Sequence, residues 1–325
     1  AAESPNSATV QTLVALLAQS SLQQTPSEQH AQLVASGRAA ARRALAINPR
    51  FADAYAALAQ LTPEVNWAER EALLRRGLVI DPAASNIPNH LGQLFWEAGK
   101  WRDAAPLFEA SLSRDPISPN KTQFRLDILI GQQNWAQAGP LMARATRLWP
   151  GERWVAYAQF NLALYGPDPN QALALIHSGD VAALDAGDGL HAFGRLTEAL
   201  IRRRPGDIDA AARDCTGPDR QSPSRACFIV LSSLGRLNEA FALAYERYPD
   251  LRGPTPEARE RRWLATLSQF HDPSALFDPH AALLRADPRF AALVERLGLV
   301  DYWRANGPPD FCAVENAPVC VGLQR

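Results

Sequence analysis

The hydrophobic and polar positions of this 325-residue chain fall into paired helical stripes separated by short turns. The clearest unit runs from Ser85 to Ser118. In it Leu91-Gly92 and Phe95 lie on a first helix, Gly99 turns the chain, Trp101, Ala104 and Phe108 lie on a second helix, and Pro116 stops it. Gly92 and Ala104 are small enough to let the two helices approach closely, and Phe95 and Phe108 fill the space around that contact. The stop recurs at Pro49, Pro82, Pro116 and Pro150, at intervals of 33, 34 and 34 residues, and Trp67, Trp101 and Trp135 keep an interval of 34 at another phase. Two residue types locked to one period identify an internal repeat.

The pattern predicts its own irregularities. In the second unit Pro63 shortens the first helix and Arg70 stands where a small residue is expected, while Gly139-Pro140 predicts a kink or break in the second helix of the fourth unit. The period fades between Pro167 and Ser224, where Gly187-Asp188-Gly189, Arg204-Pro205-Gly206 and Gly217-Pro218 interrupt shorter helices. It returns at Leu234-Gly235-Arg236-Leu237-Asn238-Glu239-Ala240, with Tyr248-Pro249 as the next stop. From Asp287 a short amphipathic helix with Phe290, Leu293, Val294 and Leu297 on one side reads as a cap over the last hairpin, ending at Gly298. The expected divisions are regular repeats over 1–166, degenerate hairpins over 167–286, and a capping helix with a cysteine-containing tail over 287–325.

The repeat, from Ala40 to about Gly166, resembles the tetratricopeptide family, which implies an all-α fold: a right-handed α-solenoid of stacked hairpins that binds another molecule. The segment Asp301-Tyr302-Trp303-Arg304-Ala305-Asn306-Gly307-Pro308-Pro309-Asp310-Phe311-Cys312 is similar to the C-terminus of bacterial proteins that join a winged-helix DNA-binding domain to a tetratricopeptide region. That resemblance implies a helical region sensing an effector or protein on behalf of an upstream transcriptional regulator domain, often across a membrane segment.

Composition narrows the function classes. Lys and Arg total 33 against 34 for Asp and Glu, so no net field steers the chain to nucleic acid or an anionic membrane. The runs Arg202-Arg203-Arg204 and Arg259, Arg261, Arg262 are offset by Asp207, Asp209, Glu257 and Glu260, and direct nucleic-acid binding is not expected. No apolar run approaches the roughly 20 residues of a membrane span, so no membrane insertion by this segment is expected. Cys215, Cys227, Cys312 and Cys320 form no zinc-type pair. Two locally spaced pairs in loop-like sequence suit disulfides in a periplasmic or otherwise extracytoplasmic compartment, with free thiols in a cytoplasmic protein as the alternative and three connectivities open.

No catalytic, metal or cofactor site is predicted. The six histidines are dispersed with no i, i+4 pair, and no phosphate-binding glycine loop or nucleophile elbow occurs. His271-Asp272 and Asp278-Pro279-His280 form at most a weak metal site, and Asp185 to Gly189 lacks the alternating ligands of a calcium loop. Binding is expected in the concave groove lined by first helices. One rung of that groove reads Gln60, Gln93, Asp127 and Asn161, and another Ala56, Asn89, Gln123 and Tyr157, with Trp96 and Trp154 at its edges. The polar groups suit a peptide backbone or a small effector, and the rings suit apolar anchoring. The expected partners are a protein or peptide segment, a small effector and a second copy of the chain. The alternatives are a structural scaffold with a large apolar patch and, last, an enzyme housed in 167–224.

Overall fold

A computed structural model describes residues 7–84, 86–180, 189–217, 225–267 and 272–323. Among the described residues there is no strand; the chain is an all-α solenoid of helical hairpins. The first four hairpins pair α1 (Ala8–Ser21) with α2 (His30–Ile47), α3 (Ala52–Gln60) with α4 (Trp67–Ile80), α5 (Asn86–Glu97) with α6 (Trp101–Arg114), and α7 (Pro119–Gly131) with α8 (Trp135–Leu148). Three more pair α9 (Arg153–Leu164) with α10 (Asn170–Ser178), α11 (Gly189–Arg202) with α12 (Pro205–Thr216), and α13 (Arg225–Ser233) with α14 (Leu237–Arg247). The first helices touch in succession, α3 on α5, α5 on α7 and α7 on α9, which places them on the inner, concave side.

The periodic prolines do what their position demands. Just before each, the residue that follows the second helix caps it: Asn48, Asp81, Asp115 and Trp149 donate their N–H groups to the carbonyls of Ala44, Gly77, Ser111 and Ala145. Pro49, Pro82, Pro116 and Pro150 then prevent continuation. Three of the hairpin turns share one geometry. In α5–α6, Lys100 N–H reaches Phe95 O (2.8 Å) and Gly99 N–H reaches Trp96 O (3.1 Å); Asn134 with Leu129 and Arg236 with Leu231 repeat the long bond at 2.8 and 2.9 Å. This closure needs a left-handed residue at its centre, and Gly99 (φ +73°), Gln133 (φ +56°) and Gly235 (φ +75°) supply it.

α3 stops at Gln60, three residues short of Pro63, as the sequence predicts. The break expected at Gly139-Pro140 does not occur: α8 runs unbroken from Trp135 to Leu148. Pro140 lies one repeat after Pro106, which sits inside the equally unbroken α6. Pro140 and Ala136, the residue whose carbonyl its missing N–H would have met, are both exposed, so water takes the bond. In the stretch where the period fades, α11 and α12 still form a hairpin. Its turn holds Arg203 at φ +50°, so the arginine run is a hairpin turn in which Arg does the work that Gly does elsewhere.

The remaining chain turns back onto the repeats. α15 (Pro256–Thr266) sends Trp263, 2% exposed, into the core of α1–α3 beside Ala15, Val34 and Leu61, with Arg38 and Glu260 paired at 2.5 Å. Two 3-10 turns follow, Pro273–Phe277 and Pro279–Ala281, and then α16 (Ala282–Ala286), α17 (Arg289–Arg296), α18 (Leu299–Asn306), a third such turn at Asp310–Ala313, and α19 (Pro318–Leu323). Phe290, Leu293, Val294 and Leu297 are buried as predicted. Their surroundings are broader than a cap on the last hairpin. Arg289 and Arg296 stack over Phe241 and Tyr245 of α14, while α18 packs on α4. One continuous core therefore joins Trp67, Phe95 and Phe108 to Phe277, Trp303 and Phe311. Among the described residues no helix is long and apolar enough to cross a membrane.

Candidate functional site

The junction between repeats and returning segment is held by reciprocal polar contacts. Trp67 Nε1–H donates to Leu297 O (2.7 Å) and Trp303 Nε1–H donates to Ala98 O (2.9 Å). Tyr302 OH donates to Glu71 (2.7 Å), Lys100 Nζ to Asn306 O (2.6 Å), and Asp310 N–H to Gly99 O (3.0 Å). Gly99 is required twice over: its φ is positive, and a Cβ there would lie 2.9 Å from the Phe277 ring. Arg285, 1% exposed, braces the returning segment from within by donating to the carbonyls of Leu276 and Asp278 and, at 2.8 and 2.6 Å, to the Glu315 carboxylate.

This closure divides the concave surface in two. In the part nearer α3, the returning chain brings Asp272, Pro273 and Leu297 against Glu64, Trp67 and Glu97. Asn89 is buried; its Nδ2 donates to Asn120 (3.2 Å) and its Oδ1 makes no hydrogen bond. Gln93 donates to Glu97 (2.8 Å), and Gln60 bonds His90 (3.0 Å). Glu64, Glu97 and Asp272 gather around Trp67 and Leu297. Burial foremost, reinforced by Asp272 and Glu64 against the opposing Arg70, pushes the Glu97 carboxyl up to about 8. Arg70 answers this cluster at 3.9 Å from Glu97 and lies over the Trp67 ring, which is why a large cation occupies a position where the repeat has a small residue. Burial, with Arg70 and Lys121, lowers His90 to about 4, so that ring is neutral at neutral pH.

Further along, the groove stays open as a small cleft with about 30 Å³ of space for water-sized occupants. Trp96 of α5, Asp127 of α7, and Tyr157 and Asn161 of α9 line it. These are four of the sequence-predicted groove residues, brought together by the 34-residue register that places Asp127 and Asn161 on adjacent first helices. Trp101 forms a wall because Gly131 leaves it room: a Cβ there would lie 1.8 Å from the indole. Its Nε1–H donates to Trp96 O (3.1 Å).

The far wall comes from the returning chain, through Asp278, Pro279 and His280. The His280 ring stacks on Tyr165 with centroids 4.1 Å apart, and its Nδ1 lies 3.1 Å from Asp278 Oδ1, which also accepts the His280 N–H at 2.9 Å. The other predicted residues lie elsewhere. Gln123 is half-buried on α7, and Trp154 packs against Trp149 (5.4 Å) and the α7–α9 core around Leu126 and Met142.

Sequence reasoning missed Tyr165 and His280 as cleft residues. Tyr165 was discoverable, since it falls one repeat after Gly131; His280 lies in non-periodic sequence with no signal of its position. His271 and Asp185–Asp188 lie outside the described residues, and among those described no cluster of three metal-ligating side chains occurs. The cysteines pair as Cys215–Cys227 and Cys312–Cys320, which selects one of the three connectivities. The first ties the end of α12 to the start of α13, and the second folds the tail across Phe311 and α19.

No family model and no curated protein matches the sequence. Among solved structures, PilF of Pseudomonas aeruginosa is similar at TM-score 0.43 and 17% identity, over 78% of this chain and 96% of PilF. A likeness of this degree carries no argument about function.

Proposed function

We propose that the chain is a non-enzymatic binding module in which the cleft between α5, α7, α9 and the 278–280 segment takes the ligand, a protein or peptide segment or a small effector. The observation that supports this reading is the cleft's mixed construction. Three of its walls come from the repeats and one from the returning chain, so occupancy and closure are coupled: a ligand touching both Asn161 and His280 favours the closed arrangement. In a longer protein of winged-helix regulator type, as the tail sequence suggests, that bias is what an upstream domain would read. The paired cysteines support an extracytoplasmic setting.

A photo-crosslinking residue at Asn161 of the protein in its native host tests the cleft directly. Discrete adducts at 161, and none at the exposed convex control Glu109, are expected; adducts at the control without any at 161 would remove the cleft as the site. Intact mass before and after reduction tests the compartment: four protected cysteines are expected, and free thiols would move the protein to the cytoplasm.

A scaffold role is a second reading, with one observation in its favour. The outer face of α1 carries no charged residue and exposes Leu13 (53%) and Leu17 (65%), whereas a solenoid end facing water is ordinarily polar. Size-exclusion chromatography of wild type against Leu13→Glu/Leu17→Glu tests it, a change in assembly size being the supporting outcome.

A further inference from the structure

We infer that a second cleft, outside the one proposed above, binds an apolar carboxylate: a ring-bearing body ending in a carboxyl group, carried by a polypeptide C-terminus or by a small acid. This cleft holds about 440 Å³, against about 30 Å³ in the first, and shares the Trp101 wall with it. It lies between the turns of α5–α6 and α7–α8, the start of α6, and the returning chain at 277–279 and 310–315. Its apolar lining is made by Trp101, Phe277 and Phe311, each at most 8% exposed, and by Val314, which is 77% exposed. Val314 beside a ring-lined hollow is apolar surface that a bound group would remove from water. The lip it forms is fixed in advance: Val314 N–H donates to Phe311 O (3.0 Å), and the Cys312–Cys320 bridge anchors the tail.

Four charged side chains line this cleft, and three of them are already engaged. Arg285 and Glu315 satisfy each other through two hydrogen bonds of 2.8 and 2.6 Å. Asp310 accepts the Arg102 backbone N–H at 2.7 Å and so caps the start of α6. The fourth is the Arg102 guanidinium, which is exposed and makes no ion pair or side-chain hydrogen bond among the described residues. Asp310 feels its charge without pairing with it, and the neighbouring Asp103 pairs with Lys100 at 3.5 Å. A carboxylate matches that open fork of donors, whereas an ammonium group would meet a like charge there. The space suits one aromatic residue with its backbone.

Calorimetric titration of the full chain with three probes tests this. They are N-acetyl-phenylalanine, its neutral isostere N-acetyl-phenylalaninamide, and acetyl-Ala-Ala-Ala-Phe with a free C-terminus. The acid is expected to bind about threefold or more tightly than the amide, the scale of a guanidinium–carboxylate contact at a solvated rim. Arg102→Gln is expected to erase that difference, while Arg50→Gln, which removes the same charge at an exposed turn before α3, leaves it unchanged. Val314→Asp, which takes apolar area from the lip and adds a like charge, is expected to weaken the acid by about tenfold. Both cleft variants alter exposed side chains, so unchanged thermal unfolding verifies that the fold is intact. Equal affinity of the acid and the tetrapeptide assigns the ligand to small acids; clearly tighter tetrapeptide binding assigns it to a polypeptide C-terminus.

Three results overturn the proposal: amide binding as tight as acid binding, an acid-over-amide preference that survives Arg102→Gln, or no saturable binding of either acid up to roughly 10 mM. Full affinity of the acid in Val314→Asp overturns it as well, by placing the bound probe elsewhere on the molecule. The crosslinking experiment at Asn161 judges the other cleft independently.

Discussion

The repeats α3–α8 and the returning segment 272–323 share one hydrophobic core yet are built on opposite plans. The repeats are periodic, with each hairpin buried mainly by its neighbours, and α5–α6 and α7–α8 close with the same turn geometry. The returning segment consists of helices of five to eight residues and 3-10 turns, too short to be stable alone, and is organised by what it touches. The periodic tryptophans show how this alters even the regular part. Trp67 donates its indole N–H to Leu297 of the returning chain, Trp101 donates to Trp96 in its own hairpin and walls the cleft, and Trp135 is only half-buried. The same repeat position serves three purposes, and which one it serves depends on where the far end of the chain lands.

The strongest way to break this dependence is Trp303→Ala. It removes a ring that is 1% exposed and orphans the Ala98 carbonyl, and it should cost about 3–5 kcal/mol in urea denaturation. Loss of signal from both halves together would demonstrate the shared core; a two-step transition with the repeats unaffected would separate them. Replacing Cys312 and Cys320 by Ser acts on the returning segment alone. Opening a loop of sequence separation 8 should cost about 2–3 kcal/mol, and it should raise hydrogen exchange in α17–α19 before α5–α8.

Glu97→Gln sharpens the comparison from the buried junction. Its folded-state value of about 8 lies above the 4.5 of an ordinary glutamate, so the folded form holds the extra proton. That contribution to stability is complete below pH ~4.5 and is lost as pH rises toward ~8. The substitution should therefore stabilise the protein by ~2 kcal/mol near pH 8, do little near pH 4.5, and flatten the dependence of Tm on pH between them. A steeper dependence in the variant would contradict the assignment. The smallest effect belongs to a hairpin turn. Gln133→Gly relieves a left-handed non-glycine residue and should raise stability by about 0.5–1 kcal/mol, whereas Gly99→Ala should lower it by more, because its Cβ would also meet Phe277.

Much of the repeat architecture is readable along the chain because its causes are local. A helix must stop where Pro follows, and a tight turn needs a left-handed residue, so Pro82, Pro116 and Gly99 announce themselves. Local signals misled where context compensates: Pro140 leaves α8 intact since its orphaned carbonyl faces water, and Arg203 holds a turn that glycine would have advertised. The candidate cleft was half legible. Trp96, Asp127, Tyr157 and Asn161 share a face by register, but the register could not show that Asn89 is buried against Asn120 and that Gln93 is taken up by Glu97.

The sequence by itself determined an all-α solenoid of hairpins, its period, the ends of its first four second helices and the register that sets Asp127 and Asn161 on adjacent first helices, because hydrogen-bond geometry and side-chain spacing act over one or two turns. Only the tertiary structure decided which cysteines pair, that residues 256–267 and 272–323 close onto α1–α6, and that Tyr165 and His280 complete a cleft with Asp127. The last two of those outcomes depend on burial between residues more than a hundred positions apart, where no periodicity connects the partners and the fit of Phe277 on Gly99 or Trp303 on Ala98 selects the arrangement.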